Sequence, residues 1–214
     1  MPTSFHIRPA IPADMPGVGA MQHACWMHAY KGLLDDAFLA QLTPEGIAGY
    51  HAKHFDAAGN HAAPGMPFFV AELLPREHPR ETPRRETTIR ETPARTNPIL
   101  GMVRGGPTRA KSASGDTVPP EVVTRYPFEL FGIHVAHDLH RSGIGRALFS
   151  EYARAARALG HSSLVLWVLS DNAPAIAFYK SLGGTPVANS PLTLGTKQYP
   201  QTAYAWSDLR AFSK

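Results

Sequence analysis

The stretch His140-Arg141-Ser142-Gly143-Ile144-Gly145-Arg146 joins two segments of different periodicity. Before it, Phe128 to Val135 is an apolar, strand-like run. After it, Arg146 to Leu159 is helical: Ile144, Leu148, Tyr152, Ala155 and Leu159 form one stripe, and Gly160 stands where such helices end. A glycine-bearing turn that opens a helix is a ready anion site. Its first backbone N–H groups have no acceptor within the helix, and the positive end of the helix dipole points the same way. Arg141 and Arg146 bracket that point. The expectation is a phosphate-rich ligand held at the turn.

Downstream, Leu164 to Leu169 is a continuous apolar run, as in a strand with neighbours on both sides. Pro174 then starts a helix holding Ile176, Tyr179 and Leu182, which Gly183 stops. Strand, turn, helix and strand in this order imply adjacent parallel strands linked by a right-handed crossover. Thr185 to Val187 and Thr202 to Trp206 are expected closing strands. Upstream, Phe5 to Arg8 reads as a strand, Asp14 as the N-cap of a helix to about Ala29, Leu33 to Leu42 as a short helix, and Pro44 to about Phe55 as a third. Phe68 to Leu73 and Ile99 to Val103 read as strands. The predicted fold class is α/β, a mixed sheet between helices on both faces, in a single domain over 1–214.

Two stretches interrupt this pattern. In 75–98, Arg80, Arg85, Arg90 and Arg95 recur every five residues, a period of neither helix nor strand, and Pro79, Pro83, Pro93 and Pro98 oppose both. The segment reads as an exposed, largely disordered low-complexity insertion. As a nucleic-acid or partner-binding arm it is weakened by Glu77, Glu81, Glu86 and Glu91, which cancel most of the positive field. A second stretch, 105–120, reads as a loop.

Composition narrows the function classes. With 214 residues and 43% hydrophobic side chains the chain can bury a substantial core. Cys25 is the one cysteine, so no intrachain disulfide forms, which fits a reducing compartment. The N-terminus lacks the apolar stretch of a signal peptide and no run is long enough to span a membrane, so the expected location is cytoplasmic. The net charge of +4 and the isoelectric point near 9.3 come without an RNA-reading motif or zinc-finger spacing. No nucleic acid is expected, and the basicity suits an anionic cofactor.

The turn is neither a Walker P-loop, since no Gly-x-x-x-x-Gly-Lys-Ser/Thr is present, nor a Rossmann fingerprint, since Gly-x-Gly-x-x-Gly is absent. It resembles the pyrophosphate signature of the GNAT N-acetyltransferase superfamily, Gln/Arg-x-x-Gly-x-Gly/Ala, with His140 at the first position. The family's Asn-x-x-Ala-x-x-Phe-Tyr and closing glycine are matched by Asn172, Ala175, Phe178, Tyr179 and Gly183. Ile7-Arg8-Pro9-Ala10, Asp14, Trp26, Tyr30, Gly32 and Leu33 also look like family text. The likeness covers the whole chain apart from the two loose stretches. It implies the three-layer α/β/α GNAT fold, acetyl-CoA as co-substrate without a metal, and an acceptor that is a small-molecule amine or a peptide or protein amine. Relatives are often homodimers.

The resemblance also implies site residues. The pantetheine arm would lie along Ile133, His134 and Val135. The pyrophosphate would rest on His140, Arg141, Ser142, Gly143, Ile144, Gly145 and Arg146, and Asn172 would cap the next helix, touch the arm, or both. Val135 N–H is the implied oxyanion donor. Tyr179 is the implied general acid for the departing thiolate, against simple packing on the helix's inner face. Glu129 is the implied base acting through water, against an ordinary solvated carboxylate; failing it, backbone carbonyls and the desolvated cleft are expected to lower the amine's pKa. Trp26 and Tyr30 form an acceptor wall or merely core. His134, His137 and His140 recur every three residues, but no carboxylate or cysteine completes a metal site. Cys25 reads as a buried hydrophobe, because direct transfer needs no acyl-enzyme. The expected function is acetyl transfer from acetyl-CoA to a primary amine by direct attack. The alternative is an inactive acyl-CoA-binding module of the same fold.

Overall fold

The computed structural model describes residues 4–59, 65–74, 97–112 and 114–212. Within them the chain forms β1 (Phe5–Pro9), α1 (Met15–Ala29), α2 (Asp36–Leu39), α3 (Pro44–Ala52), β2 (Phe68–Leu73), β3 (Ile99–Pro107), α4 (Pro120–Arg125), β4 (Phe128–Val135), α5 (Ile144–Ala158), β5 (Leu164–Leu169), α6 (Ala173–Ser181), β6 (Thr185–Leu194) and β7 (Lys197–Trp206). The strands make one mixed sheet in the order β1-β2-β3-β4-β5-β7-β6, antiparallel throughout except for β4 beside β5. That parallel pair is the crossover expected from the sequence, with α5 as its connection.

Period-two alternation divides the sheet's side chains between two layers. On one face Phe68, Val70 and Met102 pack with Met15, Val18 and Cys25 of α1. Farther along that face, Val165, Ala203 and Ala205 meet Val122 of α4. On the other face Ala71, Val103, Leu130, Leu164 and Leu166 meet the α5 stripe, where Ile144, Leu148, Phe149 and Tyr152 are fully buried. Tyr179 of α6 and Leu182 just after it join this second core. Among the described residues, no helix is long and apolar enough to cross a membrane.

Four local expectations change. Strand β3 continues to Pro107 rather than ending at Val103, and the stretch expected as a 105–120 loop closes into α4. Gly105 and Gly106 read as breakers, yet at Gly105 the strand needs glycine. A Cβ there would lie 2.1 Å from both Glu129 O and Tyr152 Oη. The closing strands are also longer than expected and meet at the two residues Gly195 and Thr196, with Gly195 at φ +61°. Pro186 and Pro191 are tolerated because β6 is the sheet edge, and Pro200 lies beyond the pairing of β7 with β5. The 33–42 helix shrinks to α2, capped by Asp35 Oδ1 accepting from Ala37 N and Phe38 N. Finally, Asp14 stands at the N-cap of α1 without capping it by its side chain. Its carboxylate instead accepts two 2.7 Å bonds from Arg8 and one from Ile11 N. The arginine-repeat insertion expected over 75–98 falls almost wholly on 75–96, outside the described residues. Its flanks are held together by Leu73 N–H donating to Pro98 O.

Candidate active site

The turn before α5 takes the shape its glycines permit. Gly143 has φ +90° and Arg141 φ +65°, two left-handed residues that curl the chain into the first helical turn. Ser142 N–H bonds back to Leu139 O and Ala147 N–H to Gly143 O. The N–H groups of Gly143, Ile144, Gly145 and Arg146 find no acceptor among the described residues. A Cβ at Gly143 would meet nothing within 4 Å, whereas at Gly145 it would press on Phe178 Cζ at 3.2 Å. The first glycine keeps open space in front of the donors, and the second lets α5 approach α6.

This turn opens into a cleft made by the sheet. Strands β4 and β5 pair only at Glu129–Val165 and Leu130–Leu166. Beyond Leu130 they part, while β4 stays paired to β3 from Gly101–Val135 to Arg104–Gly132. Because Ala136 N–H bonds to Leu100 O, Gly101 and Val135 form a non-hydrogen-bonded pair. The peptide N–H and C=O of Val135, and by period two those of Ile133, therefore face the gap. Val135 O there accepts from Cys25 Sγ at 3.1 Å and from the ring nitrogen of His140 at 3.2 Å. Burial pushes the Cys25 thiol up to about 11, in keeping with an unreactive buried group.

One cavity of about 1310 Å³ runs along this gap. Of the residues expected at the cofactor, Ile133, His134, Val135, His140, Arg141, Gly143, Gly145, Arg146 and Asn172 line it. Ser142 and Ile144 do not; the Ile144 side chain is fully buried in the core, leaving its backbone N–H at the turn. Asn172 Oδ1 accepts from Ala175 N and so caps α6 from the cavity wall. Tyr179, Glu129, Trp26 and Tyr30 line the same cavity. Tyr179 is 8% exposed, and burial, with Tyr30 nearby, raises its phenol well above the ordinary value, so it holds its proton. Trp26 meets Tyr30 edge-on at 4.9 Å and His134 at 6.5 Å, both wall and core. The three histidines diverge: His134 toward Trp26, His137 onto His28 at 4.3 Å, and His140 to Val135 O. Among the described residues no group of three or more His, Cys, Asp or Glu side chains is placed to hold a metal ion.

The end of the cavity at Glu129 holds residues the sequence reading missed. Glu129 is 1% exposed rather than solvated, and both its oxygens are taken by Arg109: Nη2 to Oε1 at 2.5 Å, and backbone N and Nε to Oε2 at 3.1 and 3.3 Å. A water or amine reaches this carboxylate only by sharing it with the guanidinium. Arg104, 8% exposed, lines the cavity beside this pair. It was overlooked because it falls between the expected end of a strand at Val103 and two glycines, where an arginine reads as solvated. The available signal was alternation, which puts Arg104 on the face of Met102. The skipped residue in the β3–β4 register, between Leu130 and Gly132, is Phe131. The Arg104 and Arg109 guanidinium carbons lie 5.6 and 4.1 Å from its ring centroid.

The sequence pattern of the acetyltransferase (GNAT) family matches residues 68–183, more than half of the chain. The chain belongs to this family. An uncharacterised N-acetyltransferase of Bacillus subtilis (strain 168), YuaI, is 27% identical over 113 residues, which are 53% of this chain and 58% of that protein. The PaiA N-acetyltransferase of Thermoplasma acidophilum, solved with coenzyme A, superposes with a TM-score of 0.61 at 14% identity, covering 93% of this chain and 98% of that one. YncA, a putative acetyltransferase of Salmonella typhimurium solved with acetyl-CoA, gives 0.57 at 19% identity, covering 96% and 94%. At these identities the likeness is one of fold.

Proposed function

We propose that this protein transfers the acetyl group of acetyl-CoA directly to a primary amine. One observation carries the reading: a single cavity joins the unpaired N–H groups at Gly143 to Arg146, the open edge of β4, and the protonated Tyr179. The residues fit the cofactor. Its phosphates would be held by those N–H groups with Arg141 and Arg146, and its amide arm by the peptide groups of Ile133 and Val135. When bound, acetyl-CoA supplies an activated thioester, whose acetyl passes to the amine nitrogen as the carbon–sulfur bond breaks.

The chain's own residues then have three tasks. An unperturbed lysine-type amine at pH 7 is neutral only about once in 2,500 molecules, a handicap of ~4–5 kcal/mol. A cavity whose wall carries Arg104 and Arg109 disfavours the ammonium form and offsets part of this. Glu129, fixed by Arg109, receives the amine's proton through water. Val135 N–H faces the gap and stabilises charge growing on the carbonyl oxygen. Tyr179 gives its proton to the departing sulfur. The test is release of free thiol from acetyl-CoA across a panel of primary amines, beside CoA calorimetry on Gly143→Val. A side chain at φ +90° that also fills the open space before the donors should weaken CoA at least about tenfold. Wild-type affinity in that variant would remove the cofactor assignment, and CoA binding without thiol release for any amine would remove the catalytic one.

A further inference from the structure

A buried positive charge without a counter-charge needs one from elsewhere, and among the described residues Arg104 is such a charge. Its guanidinium donates Nη1–H to His54 Nε2 at 2.6 Å and Nη2–H to the Tyr50 hydroxyl at 2.8 Å, and its carbon lies 4.9 Å from the Tyr50 ring centroid. Both partners are neutral acceptors: a histidine nitrogen receiving a guanidinium proton carries none of its own. No carboxylate of the described residues lies within ion-pair distance of Arg104. The nearby acid, Glu129, is engaged on both oxygens by Arg109. Around the ring of Phe131 two guanidiniums therefore face one carboxylate, leaving a single positive charge in excess. Its surroundings do not dilute it. Burial and Arg104 itself hold His134 at about 4 and His51 at about 3, so both are neutral near pH 7. Desolvation bears on Arg104 as well and lowers its own pKa. Charges in such a site are strongly destabilising unless paired.

Arg104, Arg109 and Tyr50 line the same cavity as Tyr179 and the cofactor turn, so the missing counter-charge can arrive with the acceptor. We propose that the acceptor is an amine that also carries a carboxylate, an amino acid rather than a polyamine or a neutral amine, and that Arg104 sets this preference by pairing with the carboxylate. The inference rests on the acetyl-transfer reading above and adds the substrate class. A single excess charge matches a monoanion. The Tyr50 hydroxyl accepts from Arg104, which leaves its own proton to donate to a carboxylate oxygen. A polycation would bring its charges against two guanidiniums, which the arrangement disfavours.

The test offers the full-length protein with acetyl-CoA the protein amino acids, each beside its C-terminal amide, with spermidine as the polycationic probe. Thiol release is followed kinetically, and binding of the same compounds to the CoA-loaded protein is followed by thermal shift. The expected result is turnover of at least one free amino acid with kcat/KM about ten- to hundredfold above its amide, the size expected for a lost charged hydrogen bond. In Arg104→Gln that ratio should collapse towards one, while Arg104→Lys should keep part of it and CoA affinity should stay at wild type in both. The acid-to-amide comparison in the wild-type protein stands even if a variant folds poorly. Amides or spermidine used as well as free amino acids, with acetyl transfer intact, would overturn the substrate class and leave the acetyltransferase reading standing. No binding of any free amino acid to the CoA-loaded protein would also overturn it. Failure to bind CoA would instead strike the acetyl-transfer reading on which this one rests.

Discussion

At the scale of single residues, the candidate site separates side chains by what burial does to their protons. Tyr179 was legible in the sequence because it ends a spaced motif with Asn172, Ala175 and Phe178. Its placement in the wall of the cavity was not, since the same spacing serves a helix packed on the core. Burial disfavours phenolate, so the folded pKa lies above the ordinary phenol value of about 10. The phenol therefore remains protonated across the neutral and mildly alkaline range. If Tyr179 gives its proton to the departing sulfur as proposed, Tyr179→Phe should lower kcat by roughly one to three orders of magnitude with little change in the KM for acetyl-CoA. In the wild-type enzyme, kcat should show no alkaline fall from this tyrosine up to about pH 10. Steady-state kinetics over pH 6–10 check both statements, and an unchanged kcat in Tyr179→Phe returns the ring to a packing role. Arg104 teaches the opposite lesson. Nothing in its local sequence marks it, because its meaning comes from Tyr50 on α3 and His54 just after that helix, some fifty residues earlier.

At the scale of elements, segments with strong periodicity were readable to within a residue or two: β2 and β5 match their apolar runs, and α5 matches its stripe. Among the strands, the misses fall where glycine or proline stands inside one, as in β3 and the β6–β7 hairpin. Local propensity opposes a strand there, and a tertiary contact or an edge position overrides it. Gly105 is the clearest case. The register between β3 and β4 shifts at Arg104 and Gly105, and Tyr152 Oη donates to Glu129 O at 2.7 Å through the space a side chain would need. This bond ties α5 to the strand that carries the acceptor end. Gly105→Ala should force the strands apart or break that buried bond, at a cost of roughly 2–4 kcal/mol. For a chain of this size the melting temperature should fall by roughly 5–12 °C. Because the shift disturbs Glu129 and Arg104 more than the α5 turn, the KM for the acceptor should rise more than that for acetyl-CoA. An unaltered melting curve would show that the two strands yield without strain.

At the scale of the whole molecule, the site is assembled from both halves of the chain across one sheet, and this explains what the sequence disclosed. The cofactor end is nearly contiguous, from β4 through α5 to α6, so its spacing could be read directly. The end proposed for the acceptor draws on α1, α3, β3 and the segment after it, whose meeting depends on sheet order and on the bulge at Phe131. The same assembly has a consequence for stability. His51 is 1% exposed between α1 and the sheet, where its Nε2–H donates to Gln22 Oε1 at 2.6 Å and Nδ1 has no partner among the described residues. Burial first, then the charge of Arg104, lowers its pKa from 6.5 to about 3. The folded state thus keeps the ring neutral while the unfolded chain protonates it below about pH 6.5, so unfolding takes up a proton between those two values. The stability this residue contributes is complete above pH 6.5 and declines as pH falls, by about 2 kcal/mol at pH 5 for one group of this kind. Urea unfolding at pH 7.5 and pH 5 should show the loss. In His51→Gln, whose side chain does not titrate, the difference between the two pH values should shrink by about that amount even if the variant is less stable at both. An equal pH dependence in the two proteins would mean that protonated His51 is accommodated in the fold, against the burial and the facing guanidinium that surround it.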